Sequence, residues 1–430
     1  MSTRVCEAPA AGDWPAATAP TSRVEHVARA VVAAALCGAA FSPPLTNVGL
    51  ALMLLAFAFL PEARARFRAL LREPIAQATL AFIAVMALAM LWSEVSWPQR
   101  LLGLWQWRPL LLMLPLLALF PSASSKRYLA VVYVAFATAG ALLSFVAFAL
   151  GKAAIAGDPP GTVLRNPSTQ SMALAMGLTL ALALAVHWRS ARARGLLSLA
   201  AGIVALNLLF VTTGRSGHAA AAVVLFVLLV MLGGRRRLIG LLALPVLGTM
   251  VVMASPVIQQ RFALGWHEVQ AVDHLQDISS MGMRVVMWRK SMELVRAAPW
   301  FGHGTGSFAA AYGKLASDTT ASWRARPSAD PHNQYLYVSA SGGILGLVFF
   351  LLWVGMVAVQ ALKASAQPAA RPWAAAALAL LLAWCATSLF SSHFQTFSEG
   401  HLIAIALGVL LAPQRALESR AAQAASKTDS

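Results

Sequence analysis

Long apolar runs alternate with short polar segments along most of the 430 residues of this chain. A helix needs about 20 mostly apolar residues to cross a bilayer, and twelve runs come close to that length. Several are short, so we expect some to be tilted, kinked or re-entrant. The runs lie near residues 25–41, 44–60, 74–92, 101–120, 128–150, 168–187, 195–213, 217–232, 238–254, 333–361, 373–391 and 398–412. The pattern predicts an all-α polytopic membrane protein.

One long polar stretch, residues 255–332, interrupts these spans between the ninth and the tenth. It predicts a helix over 282–298, which contains good helix formers and ends before Pro299. A glycine-rich loop and a second short helix should follow. In chain order, the sequence predicts a tail at 1–24, nine spans within 25–254, a loop domain at 255–332, three spans within 333–412, and a tail at 413–430.

Charge fixes the expected orientation of these segments. The chain is 59% hydrophobic and 11% charged, against about 25% charged residues in soluble domains, and its net charge is +17. The basic residues lie mostly in every second gap between spans, which is the positive-inside pattern and not a nucleic-acid-binding face. We therefore expect both termini in the cytoplasm and the loop domain outside it. The basic gaps hold Arg64, Arg66, Arg68, Arg72, Lys126, Arg127, Arg189, Arg192, Arg194, Arg235, Arg236, Arg237, Lys363, Arg371, Arg415 and Arg420.

The positions of the acidic residues and of possible metal ligands argue against two classes of protein, an ion-coupled transporter and a metal-dependent enzyme. None of the 16 carboxylates falls in the middle of a predicted span, which counts against an ion-coupled transporter. His267, His274 and Asp277 share one helical face, but a solvated amphipathic face explains them better than a metal site. No Asp-x-Asp stands in an outer loop. We expect neither a metal ion nor a cofactor.

His332 is the strongest candidate for a catalytic group. Asp330 suits the N-cap and Pro331 the first position of the tenth span, which would place His332 in its first turn. The positive end of the helix dipole disfavours imidazolium there, and a neutral imidazole is a competent general base. The alternative is an interfacial residue at the start of a span.

Arg284 and Arg215 are the next candidates. Arg284 has no carboxylate three or four positions away, whereas Arg289 has Glu293 within that reach. A guanidinium without a local carboxylate can bind a phosphate, although pairing elsewhere in the fold is an equal alternative. Arg215 lies in a glycine-flanked turn between the seventh and eighth spans. It is either a membrane-surface anchor or an anion ligand.

Further polar residues surround the same predicted face and serve as candidate substrate-binding residues. Together they would form a positive rim that suits a diphosphate lipid better than a neutral solute. Arg108 falls about two turns inside the fourth span, so it must be paired or face a polar cavity. The glycine-rich segment around His303 is either a phosphate nest or a simple turn. The set consists of Arg100, Arg108, Arg165, Arg289, His303 and Asn333.

These motifs, in this order, resemble the O-antigen ligase family, within the bacterial O-antigen ligase and polymerase superfamily. The resemblance covers most of the chain, because about twelve spans with one large loop between the ninth and tenth is similar to the family's arrangement. The local matches are Thr213-Gly214-Arg215-Ser216-Gly217, Arg284 to Trp288 followed by Pro299-Trp300-Phe301-Gly302-His303-Gly304, and Pro331-His332-Asn333-Gln334-Tyr335-Leu336 followed by Gly342-Gly343.

The resemblance implies a metal-independent glycosyltransferase with a GT-C-like membrane fold. Such an enzyme moves a polysaccharide from undecaprenyl diphosphate to the lipid A-core oligosaccharide at the periplasmic face of the inner membrane. It also implies that Arg215, Arg284 and His332 are the functional residues. His332 would be the base, and the two arginines would neutralise the leaving diphosphate.

Three alternatives stay open at this point. An O-antigen polymerase would use a second lipid-linked glycan as acceptor, and a protein O-oligosaccharyltransferase would use a protein. The length of the chain, without a further soluble domain, favours a ligase. A lipid-linked glycan flippase would need a charged cavity within the spans, whereas the charges here concentrate at the outer mouth and in the loop.

Overall fold

The computed structural model describes residues 23–188, 190–231, 256–270, 280–317 and 325–413, with Leu242 and Met253 as isolated residues. In these ranges the chain forms helices and loops, and no strand. The helices are α1 (Arg23–Gly38), α2 (Pro43–Ala58), α3 (Pro61–Leu70), α4 (Pro74–Leu88), α5 (Trp97–Trp105), α6 (Arg108–Leu119), α7 (Ala123–Ala149), α8 (Pro167–His187), α9 (Ala191–Phe210), α10 (Arg215–Met231), α11 (Pro256–Gln270), α12 (Ser280–Ala297), α13 (Phe308–Ser317), α14 (Gln334–Ser365), α15 (Arg371–Thr387) and α16 (Phe397–Leu410).

Eleven of the twelve predicted spans coincide with helices of the described residues. The ninth, 238–254, lies almost wholly outside them. Four helices, α7, α8, α9 and α14, are long and apolar enough to cross a bilayer, and α4, α10, α15 and α16 are shorter apolar helices. Counting each of two bent pairs as one span raises the number to six within the described residues. The chain is therefore a multi-pass membrane protein.

The two bent pairs show how proline shapes the bundle. Helix α3 turns 98° away from α2, and Pro61 occupies its first position. Helices α5 and α6 bend by 41° at Gln106 and Trp107, and Pro109 stands in the first turn of α6. The expectation that Arg108 lies two turns inside a continuous span is therefore wrong. Arg108 is the first residue of a new helix, because Pro109 cannot supply the N–H that an unbroken helix needs.

Buried cations stabilise one end of the bundle, which we call the basic end. The Nε atom of Arg66 donates to the Ala118 carbonyl at 2.8 Å, and Arg29 donates to another carbonyl at the end of α6. Lys126 is 1% exposed and donates to the Leu410 carbonyl of α16 at 3.0 Å. These side chains satisfy the last carbonyl groups of two helices and complement their negative ends.

The loops between the other helix ends meet at the opposite end of the bundle. Backbone hydrogen bonds join Arg165 to Ala40 and Gln334 to Ser388, each across a long stretch of sequence. The two helices predicted within the loop domain are present as α12 and α13. Helix α12 packs on α14, so the loop domain rests on the helix that follows it.

Candidate functional site

His332 lies just before helix α14 and not inside its first turn. The helix begins at Gln334 and its N-cap is Asn333, whose Oδ1 accepts the N–H groups of Tyr335 and Leu336 at 3.0 Å each. The predicted N-cap at Asp330 is therefore wrong. Asp330 instead accepts the His332 N–H at 2.9 Å. Asn wins the cap because its short amide reaches two of the free N–H groups of the first turn.

The backbone of His332 is held in an uncommon conformation. Its φ of 51° lies in the left-handed region, where no other non-glycine residue of the described chain is found. The hydrogen bond from its N–H to Asp330 stabilises this turn. Such a conformation costs about 1–3 kcal/mol and is found most often where a side chain must be aimed at a site. The backbone conformation thus supports a functional role for the imidazole of His332.

Burial of the His332 ring favours its neutral form. Its side chain is 43% exposed, and Nδ1 lies 4.0 Å from the nearer oxygen of the Asp330 carboxylate. Partial burial lowers the pKa of His332 and the positive charge of Arg284 lowers it further, whereas Asp330 opposes both effects. Burial and the positive charge of Arg284 thus lower the pKa of His332, an effect that the sequence analysis expected from the helix dipole. The imidazole can accept a proton near neutral pH, with a carboxylate beside it to stabilise the cation that forms.

The two arginines predicted from sequence share this location. Arg215 begins α10 and Arg284 lies in the second turn of α12, 69 positions apart in the chain. Burial lowers the pKa of Arg284 and the charge of Arg215 lowers it further, whereas Glu268 and Asp330 raise it. The structure therefore brings Arg215, Arg284 and His332 to one place. Their catalytic roles stay predictions.

Helix α11 packs beside Arg215. A Cβ atom added to Gly265 would lie 3.3 Å from Nη1 of Arg215, so the glycine leaves room for the guanidinium. One turn along the same helix, Glu268 accepts the backbone N–H of Met281 at 2.8 Å, at the start of α12. Helix α11 therefore both borders Arg215 and fixes the helix that carries Arg284.

A short segment between α15 and α16, residues 388–394, is tied to the residues around His332. We call it the strap. Ser392 Oγ donates to Asp330 Oδ1 at 2.5 Å, and the Phe394 N–H donates to Oε1 of Gln334 at 3.0 Å. The residues on either side of His393 thus bind residues on either side of His332. Two further contacts, from Asn333 to the Leu389 carbonyl and from Gln334 to the Ser388 carbonyl, complete the connection.

His393, next to the last residue of the strap, is a candidate site residue that the sequence analysis missed. It is 1% exposed, and neither ring nitrogen has a hydrogen-bond partner among the described residues. Burial lowers the pKa of His393; Glu399 and Asp330 raise it, and Arg284 and His332 lower it. Burying an imidazole whose nitrogens have no partner costs free energy, and such groups are rare in folded proteins.

Arg100, Arg108 and Arg165 do not join this cluster. Arg100 closes its own loop, because Nε donates to the Val95 carbonyl at 2.8 Å and Nη1 to the Met90 carbonyl at 2.9 Å. The other two form a second basic patch, where their guanidinium carbons lie 5.4 and 5.8 Å from the centre of the Phe397 ring. Both lie at the same end of the bundle as His332.

The segment around His303 is a docking loop, and the phosphate-nest interpretation is wrong. Its backbone N–H groups are already used: His303 donates to the Ala340 carbonyl at 2.8 Å and Gly304 to the Ser341 carbonyl at 2.9 Å. One ring nitrogen of His303 lies 3.0 Å from the Leu294 carbonyl. The loop therefore fastens the loop domain to α14.

Two remaining candidates have positions unlike those expected of substrate ligands. Arg289 is exposed, and at 100° per residue it lies about 140° around α12 from Arg284. Asn333 uses its amide for the cap and for the strap. As for a metal, the described residues contain no group of three or more His, Cys, Asp and Glu that could hold one. His274 and Asp277 of the weak metal alternative lie outside those residues.

The fold and the site define a class: an all-helical membrane protein with a cationic, imidazole-containing site at one end of its bundle. The family model described as O-antigen ligase matches residues 200–351, which include Arg215, Arg284 and His332. Over these residues the chain is similar to the O-antigen ligase family. This similarity indicates a glycosyltransferase-like enzyme of the ligase or polymerase type, with lipid-linked glycan and lipid acceptor substrates in general. No curated protein matches the chain.

Proposed function

We propose that this protein transfers an O-antigen polysaccharide from undecaprenyl diphosphate to the lipid A-core oligosaccharide. The observation that carries the proposal is the convergence of Arg215, Arg284 and the Asp330–His332 pair from three separate parts of the chain. Two cations beside a neutral imidazole fit a reaction in which a hydroxyl loses a proton while a diphosphate leaves.

His332 serves as the general base. Its neutral ring takes the proton of the acceptor sugar hydroxyl as that oxygen attacks the anomeric carbon of the donor. The new carbon–oxygen bond forms as the bond to the diphosphate oxygen breaks, so the anomeric configuration inverts. Asp330, 4.0 Å from Nδ1, then faces a positively charged imidazolium. A positioned general base contributes about 10²–10⁴ in rate.

Arg215 and Arg284 bind the diphosphate and stabilise the charge that grows on it. Two guanidinium groups close enough to lower a pKa repel each other, and an anion between them relieves that repulsion. Each charge-assisted hydrogen bond contributes about 1.5–3 kcal/mol, so loss of one arginine should slow transfer about tenfold to a hundredfold. These two positive charges replace the divalent cation that neutralises a leaving diphosphate in metal-dependent enzymes. The reaction should therefore need no metal.

The proposal includes the membrane arrangement. About twelve spans in a GT-C-like fold cross the bacterial inner membrane, both termini lie in the cytoplasm, and the site faces the periplasm. The buried cations at the basic end support this orientation through the positive-inside rule. A lipid-linked donor would then reach the site from the outer leaflet.

Transfer in vitro tests the proposal. Purified wild type and His332→Ala receive undecaprenyl-diphosphate glycan together with lipid A-core, with EDTA present throughout. Transfer by the wild type alone is the expected result. Transfer only to a second lipid-linked glycan or to a protein would make the chain a polymerase or a protein O-oligosaccharyltransferase. Movement of the donor across vesicles without any transfer would make it a flippase.

A further inference from the structure

An open apolar groove runs along the outside of the bundle between α7 and α9. Its volume is about 390 Å³. Its lining includes the small side chains of Ala135, Ala139 and Ala200 and the larger ones of Val131, Leu142 and Leu196. The one hydroxyl in the lining, that of Thr138, donates to a carbonyl of its own helix. The groove lining is therefore almost wholly hydrocarbon.

The α7 wall of the groove is about as long as one leaflet of a bilayer, whereas the α9 wall runs only from Leu196 to Ala200. From Val131 to Leu142 the helix rises about 17 Å at 1.5 Å per residue. That is roughly half of the 30 Å hydrocarbon core. A single acyl chain of a phospholipid spans such a distance, whereas a long polyprenyl chain would exceed it.

Basic residues stand at one end of the groove. Arg127 lies four residues before Val131 on α7, and Arg192 lies four residues before Leu196 on α9. Residues four apart share one face of a helix, so both arginines lie one turn below the groove on its own face. Both are exposed, and the guanidinium of Arg127 lies over the Trp188 ring at 5.0 Å. A tryptophan beside a cation is typical of a helix at the headgroup level.

We propose that the groove between α7 and α9 binds one anionic phospholipid. Its acyl chain lies along the groove, and its phosphate contacts Arg127 and Arg192 at the basic end of the bundle. Two observations select this occupant: the α7 wall of the groove is about one leaflet long, and positive charges flank the end where a headgroup would lie. The site is separate from the His332 cluster, which lies at the opposite end of the bundle.

Retention of lipid by the full-length protein tests the site. The delipidated protein is given phosphatidylglycerol or phosphatidylethanolamine with identical acyl chains, and bound lipid is counted by native mass spectrometry. Wild type should retain phosphatidylglycerol preferentially. The Arg127→Gln, Arg192→Gln double variant should lose about 25-fold in phosphatidylglycerol affinity, about fivefold for each charge near an anionic headgroup. Ala139→Leu, which fills the groove without touching a charge, should lower the retention of both lipids.

Arg194→Gln is the matched control. Arg194 is an exposed arginine of the same helical turn as Arg192 but points about 200° away from it. It should retain phosphatidylglycerol as the wild type does, and unchanged melting temperatures would show that all variants fold. Equal retention of the two lipids by the wild type would overturn the proposal. So would an equal loss in Arg194→Gln, or displacement of phosphatidylglycerol by a polyprenyl phosphate.

Discussion

Ser392 donates a hydrogen bond to the Asp330 carboxylate at 2.5 Å, across 62 positions of the chain. The same oxygen, Oδ1, accepts the backbone N–H of His332 at 2.9 Å. Asp330 therefore holds the turn that carries the imidazole, while its second oxygen faces Nδ1 of that ring. One carboxylate both fixes the position of the proposed base and sets the charge beside it.

The charges that flank His332 predict opposite pH shifts for two variants. Asp330 raises the pKa of His332 and Arg284 lowers it. Because a general base works only when neutral, transfer is lost as the pH falls through this pKa. Asp330→Asn removes the raising charge, so the acid limb of kcat/KM should move to lower pH. Arg284→Gln removes the lowering charge, so the limb should move to higher pH.

Transfer rates measured between pH 4.5 and 8.5 check both shifts, with circular dichroism at each pH to confirm folding. Both variants should also turn over more slowly at the optimum, because one loses stabilisation of the imidazolium and the other loses a diphosphate ligand. Shifts in the same direction for the two variants would show that another group than His332 controls the acid limb.

Arg215 and Arg289 predict a sharp contrast between two arginines of the chain. Arg215→Gln should lower kcat/KM about tenfold to a hundredfold, because it removes one charge-assisted contact to the leaving diphosphate. Arg289→Gln is the matched control, since that side chain is exposed and points away from Arg284. Its rate should stay within about twofold of the wild type, as expected of an exposed residue. Equal losses in both variants would refute the placement of the diphosphate at Arg215.

The sequence predicted most helices and singled out three candidate site residues, because both predictions use local signals. Apolar runs fix the spans, and the predicted loop helix over 282–298 corresponds to α12 (Ser280–Ala297). Arg215, Arg284 and His332 stand in short motifs that can be read directly. Pro109 is a local signal for the helix break before Arg108. Because the residues on both sides of the break are apolar, the two helices were predicted as one continuous span.

The rest of the site depends on contacts between distant segments. Asp330 and Asn333 are both good caps, and only the geometry of the turn decides that Asn333 wins. His393 stands in an outer loop with no motif around it, and its burial arises from packing against elements far away in sequence. Arg100 binds the nearby Met90 and Val95 carbonyls, a loop closure that only the folded geometry shows. Local sequence carries no signal for such pairings.

The docking of the loop domain on α14 predicts a glycine requirement. Gly343 interrupts α14 with a φ of 65°, and a Cβ atom there would lie 2.2 Å from the Trp300 carbonyl oxygen. Gly343→Ala should therefore lower the melting temperature of the purified protein or prevent its folding. Gly355→Ala is the control, because it lies in the same helix with nothing within 4 Å of the added carbon. This control should match or exceed the wild type, since Ala favours helix over Gly by about 1 kcal/mol.

His393 predicts a separation of stability from turnover. Its imidazole is buried without a hydrogen-bond partner in the described part of the chain, so it costs the fold free energy. His393→Leu removes that cost at a similar volume, and its melting temperature should stay near that of the wild type. Turnover should nevertheless fall by about tenfold, less than the 10²–10⁴ expected for loss of the base itself.

His393→Gln separates the possible reasons for such a loss. The amide restores a donor and an acceptor but never becomes charged. If His393 acts by hydrogen bonding within the site, His393→Gln should recover most of the turnover with KM for the donor unchanged. A melting temperature that falls in both variants, with turnover falling in proportion to the folded fraction, would make His393 a packing residue and remove it from the site.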